Sequence, residues 1–164
     1  MPHISFLGIG LMGAPMVARL LDAGFSLTLW NRTPDKAQRF ADRARIAASP
    51  AQAVAEADVV ITMLENGAVV DQVLYQSDAI AGLRPQALVI DMSSIEPGTS
   101  RRHGARVAQQ GGGYLDAPVS GGTRGAKAGT LSIMAGGSDQ DVDRAGPIFR
   151  ALGKARHIGT VGSG

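Results

Sequence analysis

The chain has 164 residues, the length of one domain with a substantial core. Hydrophobic residues at 45% and charged residues at 18% describe a globular protein, and a net charge of only +2 leaves no footprint for nucleic acid. Cysteine is absent, which excludes disulfides, thiolate metal sites and thiol catalysis.

The first strand, Ile4 to Leu7, begins almost at once. No basic n-region or cleavage site precedes it, and no later apolar run reaches membrane-spanning length, so a cytoplasmic location without a membrane partner is expected. Leu11 to Ala23 reads as a helix, with Met12, Met16, Leu20 and Ala23 near helical spacing and Gly24 suited to the position after its end. Leu27 to Trp30 is the second strand. Pro34 opens a helix expected to run to about Ala44, and Ile46-Ala47 is a weak third strand. Ser49 is an N-cap for a helix over 50–57. Asp58 to Met63 carries a continuous apolar run, the mark of a strand buried on both faces. A helix over 68–75, a strand over 87–90, a helix over 97–110 and a strand over 113–116 follow.

This alternation predicts an α/β fold: a doubly wound Rossmann sheet of six parallel strands. The tail departs from the pattern. A Gly-rich stretch between Asp116 and Leu131 is read as a loop with little room for a helix, so Leu131 to Ala135 is expected as a short antiparallel extension. A helix over 139–152 and a strand over 155–158 complete the chain.

Gly8-Ile9-Gly10-Leu11-Met12-Gly13 is a GxGxxG segment. The pattern alone is weak, but here it ends the first strand and opens the first helix. In that setting the first glycine makes the tight turn, the second admits a pyrophosphate to the backbone, and the third packs helix against strand. About 20 residues on, an NAD site places a carboxylate on the ribose 2′-hydroxyl; this chain has Asn31-Arg32-Thr33. A guanidinium pairs with a 2′-phosphate in a fork, so NADP(H) is the expected cofactor, with Thr33 and Lys36 as supporting donors. The alternative is a solvated loop arginine.

Phe6 to Met16 resembles the N-terminal signature of the β-hydroxyacid dehydrogenase family, which includes 3-hydroxyisobutyrate dehydrogenases, tartronate semialdehyde reductases and 6-phosphogluconate dehydrogenases. Ile61-Thr62-Met63-Leu64 before Asn66, Asp91-Met92-Ser93-Ser94 before Pro97, and Asp116-Ala117-Pro118-Val119-Ser120-Gly121-Gly122 agree in order and spacing. Glu65 stands where the family usually has proline. Trp30 to Thr33 resembles the NADPH-using glyoxylate and succinate semialdehyde reductases of that family. The resemblance implies that residues 8–13, Asn31, Arg32 and Thr33 hold the dinucleotide, and that Met63 and Leu64 line its channel. It places Asn66 and Ser94 near the nicotinamide. Ser120, Gly121 and Gly122 would take the carboxylate of a small substrate. Read without the family, the Ser-Gly-Gly segment equally suits a plain turn after the sixth strand.

The family's acid/base lysine lies just past a Gly-Ser-Gly-like segment, on the first long helix of a helical domain that closes the site and makes the oligomer. Residues 1–164 are therefore expected to be the dinucleotide-binding half of an oxidoreductase acting on a β-hydroxy acid or short aldehyde acid. The resemblance implies no catalytic residue within them, no turnover by them alone, and a homo-oligomeric whole. Lys127 is read as a solvated loop lysine, and His3, His103 and His157 form no metal pattern. Two alternatives remain: an imine-reducing relative, and a non-catalytic NADP-binding sensor or scaffold.

Overall fold

The computed structural model describes residues 1–164. The elements run β1 His3–Leu7, α1 Gly13–Asp22, β2 Ser26–Trp30, α2 Pro34–Gln38, β3 Arg45–Ile46, α3 Pro50–Val54, β4 Val59–Thr62 and α4 Gly67–Val70. A π-helical turn, Asp71–Gln76, and a 3-10 turn, Ala79–Gly82, precede β5 Leu88–Asp91. Then come α5 Pro97–Gln109, β6 Gly113–Asp116, β7 Val119–Ser120, α6 Gly122–Ala128, β8 Leu131–Gly136, α7 Asp139–Leu152 and β9 Gly153–Gly159.

Nine strands form one sheet in the order β3-β2-β1-β4-β5-β6-β8-β7, with β9 on β8. The first six named are parallel throughout. Strand β8 is antiparallel to both β6 and β7. This is the doubly wound Rossmann order with an antiparallel extension.

The apolar runs of the central strands are explained by helices on both faces. Ile4, Phe6, Val59, Ile61, Leu88 and Ile90 point into one core with α1 and α7, while Leu7, Val60 and Val89 point into a second core with α3 and α5. Alternation along each strand thus buries every residue instead of every other one. Helix α1 ends as its sequence demands: Gly24 has φ +95°, where a side chain would be strained. Ser49 caps α3 by accepting from the Gln52 amide at 3.2 Å. No helix is long and apolar enough to cross a membrane.

Four expectations need correction. Helix α2 stops at Gln38, short of Ala44, and turns carry the chain to β3. The helix expected over 68–75 is split: α4 covers one turn and then widens to π geometry. His103 of α5 fixes that widened turn, stacking on Tyr75 at 3.9 Å between ring centroids and donating from Nε2 to Asp71 Oδ1 at 3.1 Å. The stretch before Leu131 is not a loop but contains β7 and α6. Helix α6 forms despite its glycines because Gly125 and Ala126 are buried against the sheet, and a β-carbon on Gly125 would lie 3.2 Å from Leu131 Cδ2. Finally, β9 starts at Gly153, earlier than Ala155, and runs parallel to β8 through the α7 crossover.

Candidate cofactor and substrate site

The glycine turn lies at the carboxyl ends of β1 and β4, where open α/β sheets bind ligands. Its three glycines differ in what surrounds them. Gly8 has φ +108°, and a β-carbon there would collide with the Met63 carbonyl. A β-carbon on Gly13 would collide with the Gly8 carbonyl, so α1 can pack this closely on the turn only with glycine. A β-carbon on Gly10 would meet nothing within 4 Å. Gly10 is therefore not required by the fold; the space it leaves opens outward, beside the first-turn amides of α1 that have no helical carbonyl to bond. Leu11, next in the turn, is 85% exposed, an apolar side chain standing in water at the mouth of this cradle.

Asn31 holds the turn from the second strand. Its Oδ1 accepts from the Ile9 amide at 2.8 Å and its Nδ2 donates to the Thr33 carbonyl at 3.0 Å. The Asn31 side chain thus shapes the glycine turn and the loop after β2, and it keeps one N–H and one acceptor lone pair beyond these two bonds. Arg32 and Thr33 are exposed, and the Thr33 hydroxyl makes no capping bond to α2. Arg32 and Asn31 line a recess of about 440 Å³ with Pro34 and Ala48.

Met63 and Leu64 follow β4 as half-buried residues, and the Leu64 amide donates to Ser93 Oγ at 2.9 Å. Ser93 in turn donates its amide to Asp91 Oδ1 at 3.0 Å. Asp91 is buried, and burial pushes its carboxyl up to about 6, against the pull of the Ser93 hydrogen bonds. Asn66 and Ser94 share one cavity of about 690 Å³ with Thr99, Pro118 and Gly164. Asn66 also caps α4, accepting from the Val69 amide at 3.0 Å, which leaves its amide nitrogen for a ligand.

Ser120 is exposed at the end of β7, in register with Ser132 of β8. Gly121 and Gly122 have φ +131° and +61°, conformations that only glycine adopts without strain. Consecutive amides in such a turn can form a small anion-binding concavity. These three residues do not line the cavity of Asn66 and Ser94.

Two arrangements had no local signature. Ser93 connects the buried Asp91 carboxylate to the Leu64 backbone through hydrogen bonds that bridge the ends of β4 and β5. Asp116, buried at the end of β6, accepts from the Gly162 and Gly164 amides at 2.7 Å each. It thereby fixes the backbone of Gly164 at the wall of the Asn66–Ser94 cavity.

A Rossmann sheet with an unobstructed glycine cradle at its switch point defines a dinucleotide-binding domain of the dehydrogenase type. The chain belongs to the family described as the NAD binding domain of 6-phosphogluconate dehydrogenase, whose model matches residues 3–162. It is 39% identical over 164 residues to a probable 3-hydroxyisobutyrate dehydrogenase-like 1, mitochondrial, of Arabidopsis thaliana, covering 98% of this chain and 49% of that protein. It is 40% identical over 167 residues to a NAD-dependent L-serine dehydrogenase of Pseudomonas aeruginosa, covering 100% of this chain and 56% of that one. The structure of Mycobacterium tuberculosis 3-hydroxyisobutyrate dehydrogenase with L-serine superposes with a TM-score of 0.94 at 42% identity, over 100% of this chain and 56% of that chain. The chain spans about half the length of the curated relatives it matches.

Proposed function

We propose that residues 1–164 are the cofactor half of an NADP(H)-dependent oxidoreductase acting on a β-hydroxy acid or a short aldehyde acid. The observation that carries this reading is the open cradle at Gly10, tied through Asn31 to the end of β2, where Arg32 is exposed and no carboxylate stands. The cofactor, when bound, supplies or accepts hydride. The amides after Gly10 would hold its pyrophosphate, and Arg32 with Thr33 its 2′-phosphate. Asn31 would act one step back, holding the Ile9 amide and the loop in place. Met63 and Leu64 would wall the channel, with Ser93 anchoring Leu64. Asn66 and Ser94 would face the reacting end in their shared cavity. Ser120 and the Gly121–Gly122 amides would orient a substrate carboxylate. A related protein named NAD-dependent bears the opposite cofactor preference, so the residue at position 32 is the discriminating test.

NADP(H) should bind more tightly than NAD(H). A charge-assisted bond to phosphate is worth about 1.5–3 kcal/mol, so Arg32→Ala should weaken NADPH by roughly ten- to a hundredfold and leave NADH almost unchanged. Titration calorimetry with both cofactors measures this. A wild-type preference for NADH, or an equal loss for both, would remove the NADP assignment.

A further inference from the structure

A cavity of about 500 Å³ lies between α1, α2 and α6, and Arg32 lines a separate recess. Gly10 and Leu11 open it from the turn, Lys36 and Arg39 line it from α2 and the loop just after, and Thr123 and Lys127 line it from α6. No carboxylate lines it. None of Lys36, Arg39 and Lys127 is ion-paired; the chain's arginine and histidine pairs with carboxylates all lie elsewhere. The Arg39 guanidinium lies 5.2 Å from the centroid of the Phe40 ring, which with Ile9 and Ala14 supplies an apolar floor. Three cations around one recess repel one another, and the recess opens onto Gly10, where a phosphate would sit.

We infer that Lys127 is a cofactor-recognition residue: with Lys36 it forms a second cationic wall for a phosphate group of the dinucleotide, in addition to Arg32. This rests on the dinucleotide reading above and adds to it a residue from α6, far from the phosphate-binding turn in sequence. The lysine belongs to a helix rather than a loop, and its position in the last turn of α6 brings it to the cavity of the glycine turn. A long ammonium side chain acts here as a point charge and needs no forked geometry, so either the pyrophosphate or the 2′-phosphate would satisfy it.

The test is calorimetry on wild type, Lys127→Met, Lys127→Arg and Lys154→Met with four ligands: NADPH, NADH, 2′,5′-ADP and ADP. Lys154 is an exposed lysine on β9 outside this cavity, and its loss changes net charge equally. Lys127→Met should weaken binding by about three- to tenfold at low salt, less at high salt, with Lys127→Arg near wild type and Lys154→Met unchanged. A loss across all four ligands assigns the contact to the pyrophosphate; a loss confined to NADPH and 2′,5′-ADP assigns it to the 2′-phosphate. Unaltered binding of every ligand, or an equal loss in Lys154→Met, overturns the inference. If Arg32→Ala weakens NADPH while Lys127→Met does not, the cofactor reading stands and this inference alone falls. If wild type binds none of the four, both fall.

Discussion

Gly10→Val should abolish dinucleotide binding and leave the fold intact, whereas Gly13→Val should strongly destabilise the fold. The two positions belong to one turn, three residues apart, and their surroundings differ in keeping with the different roles that the motif assigns them. Around Gly10 there is nothing within 4 Å of a new β-carbon, so valine fits the free protein. It does not fit the liganded one, because its branches fill the approach to the backbone amides. A loss of at least about a hundredfold is expected, which corresponds to roughly 2.7 kcal/mol of binding. Gly13 faces the Gly8 carbonyl, a backbone atom that cannot rotate away. Valine there must push α1 off β1 and open the core that contains Phe6 and Met16. Overpacking against a backbone atom costs about 3 kcal/mol, the upper end of the usual range and a large part of the stability of a single domain. Urea unfolding of both variants, with NADPH titration of Gly10→Val, separates the roles. Tight NADPH binding by a folded Gly10→Val protein would show that the phosphate lies elsewhere.

What could be read from sequence was local or periodic. The continuous apolar runs of β1, β4 and β5 reported burial on both faces, and Gly8, Gly10 and Gly13 reported the turn by spacing. The short α6 was not legible, because Gly122, Gly125 and Gly129 argue against a helix by propensity. It is held by packing on Leu131 and α1, a tertiary effect that composition does not carry. Lys127 reads as a loop residue for the same reason: it lies in the last turn of α6, exposed as expected, and lines the cavity onto which Gly10 opens. Asn31 reads as a ligand contact from its position after β2, and the sequence does not show that its amide also bonds Ile9 and Thr33, the first a pairing between segments 22 residues apart. Asp91 and Asp116 are Cα partners on adjacent strands, and only the register of β5 on β6 reveals that they are neighbours.

That pair supplies the second large effect. Asp91 is 1% exposed, and one of its carboxyl oxygens, like the Thr62 hydroxyl, has no hydrogen-bond partner. Burial raises the carboxyl from 3.8 to about 6, with Asp116 adding to the rise and the Ser93 hydrogen bonds opposing it. The folded state therefore holds this proton more tightly than the unfolded chain does. The stabilisation is fully present below about pH 3.8 and is lost as pH rises through about 6. Above that range the ionised group costs the fold on the order of 3 kcal/mol. His3 and His103 oppose this trend, since burial lowers both below 6.5 and their contribution is lost as pH falls. The wild-type profile blends these terms, but the difference between wild type and Asp91→Asn isolates the carboxyl. Asparagine keeps the acceptor for the Ser93 amide and adds a donor that Thr62 can use. The variant should be more stable than wild type at pH 7.5, by about 1–3 kcal/mol, with the gap closing as pH approaches 4. Urea unfolding at the two pH values measures it. A variant less stable than wild type at pH 7.5 would mean that the ionised carboxylate is favoured by its surroundings, and the pH slope assigned to Asp91 would reverse.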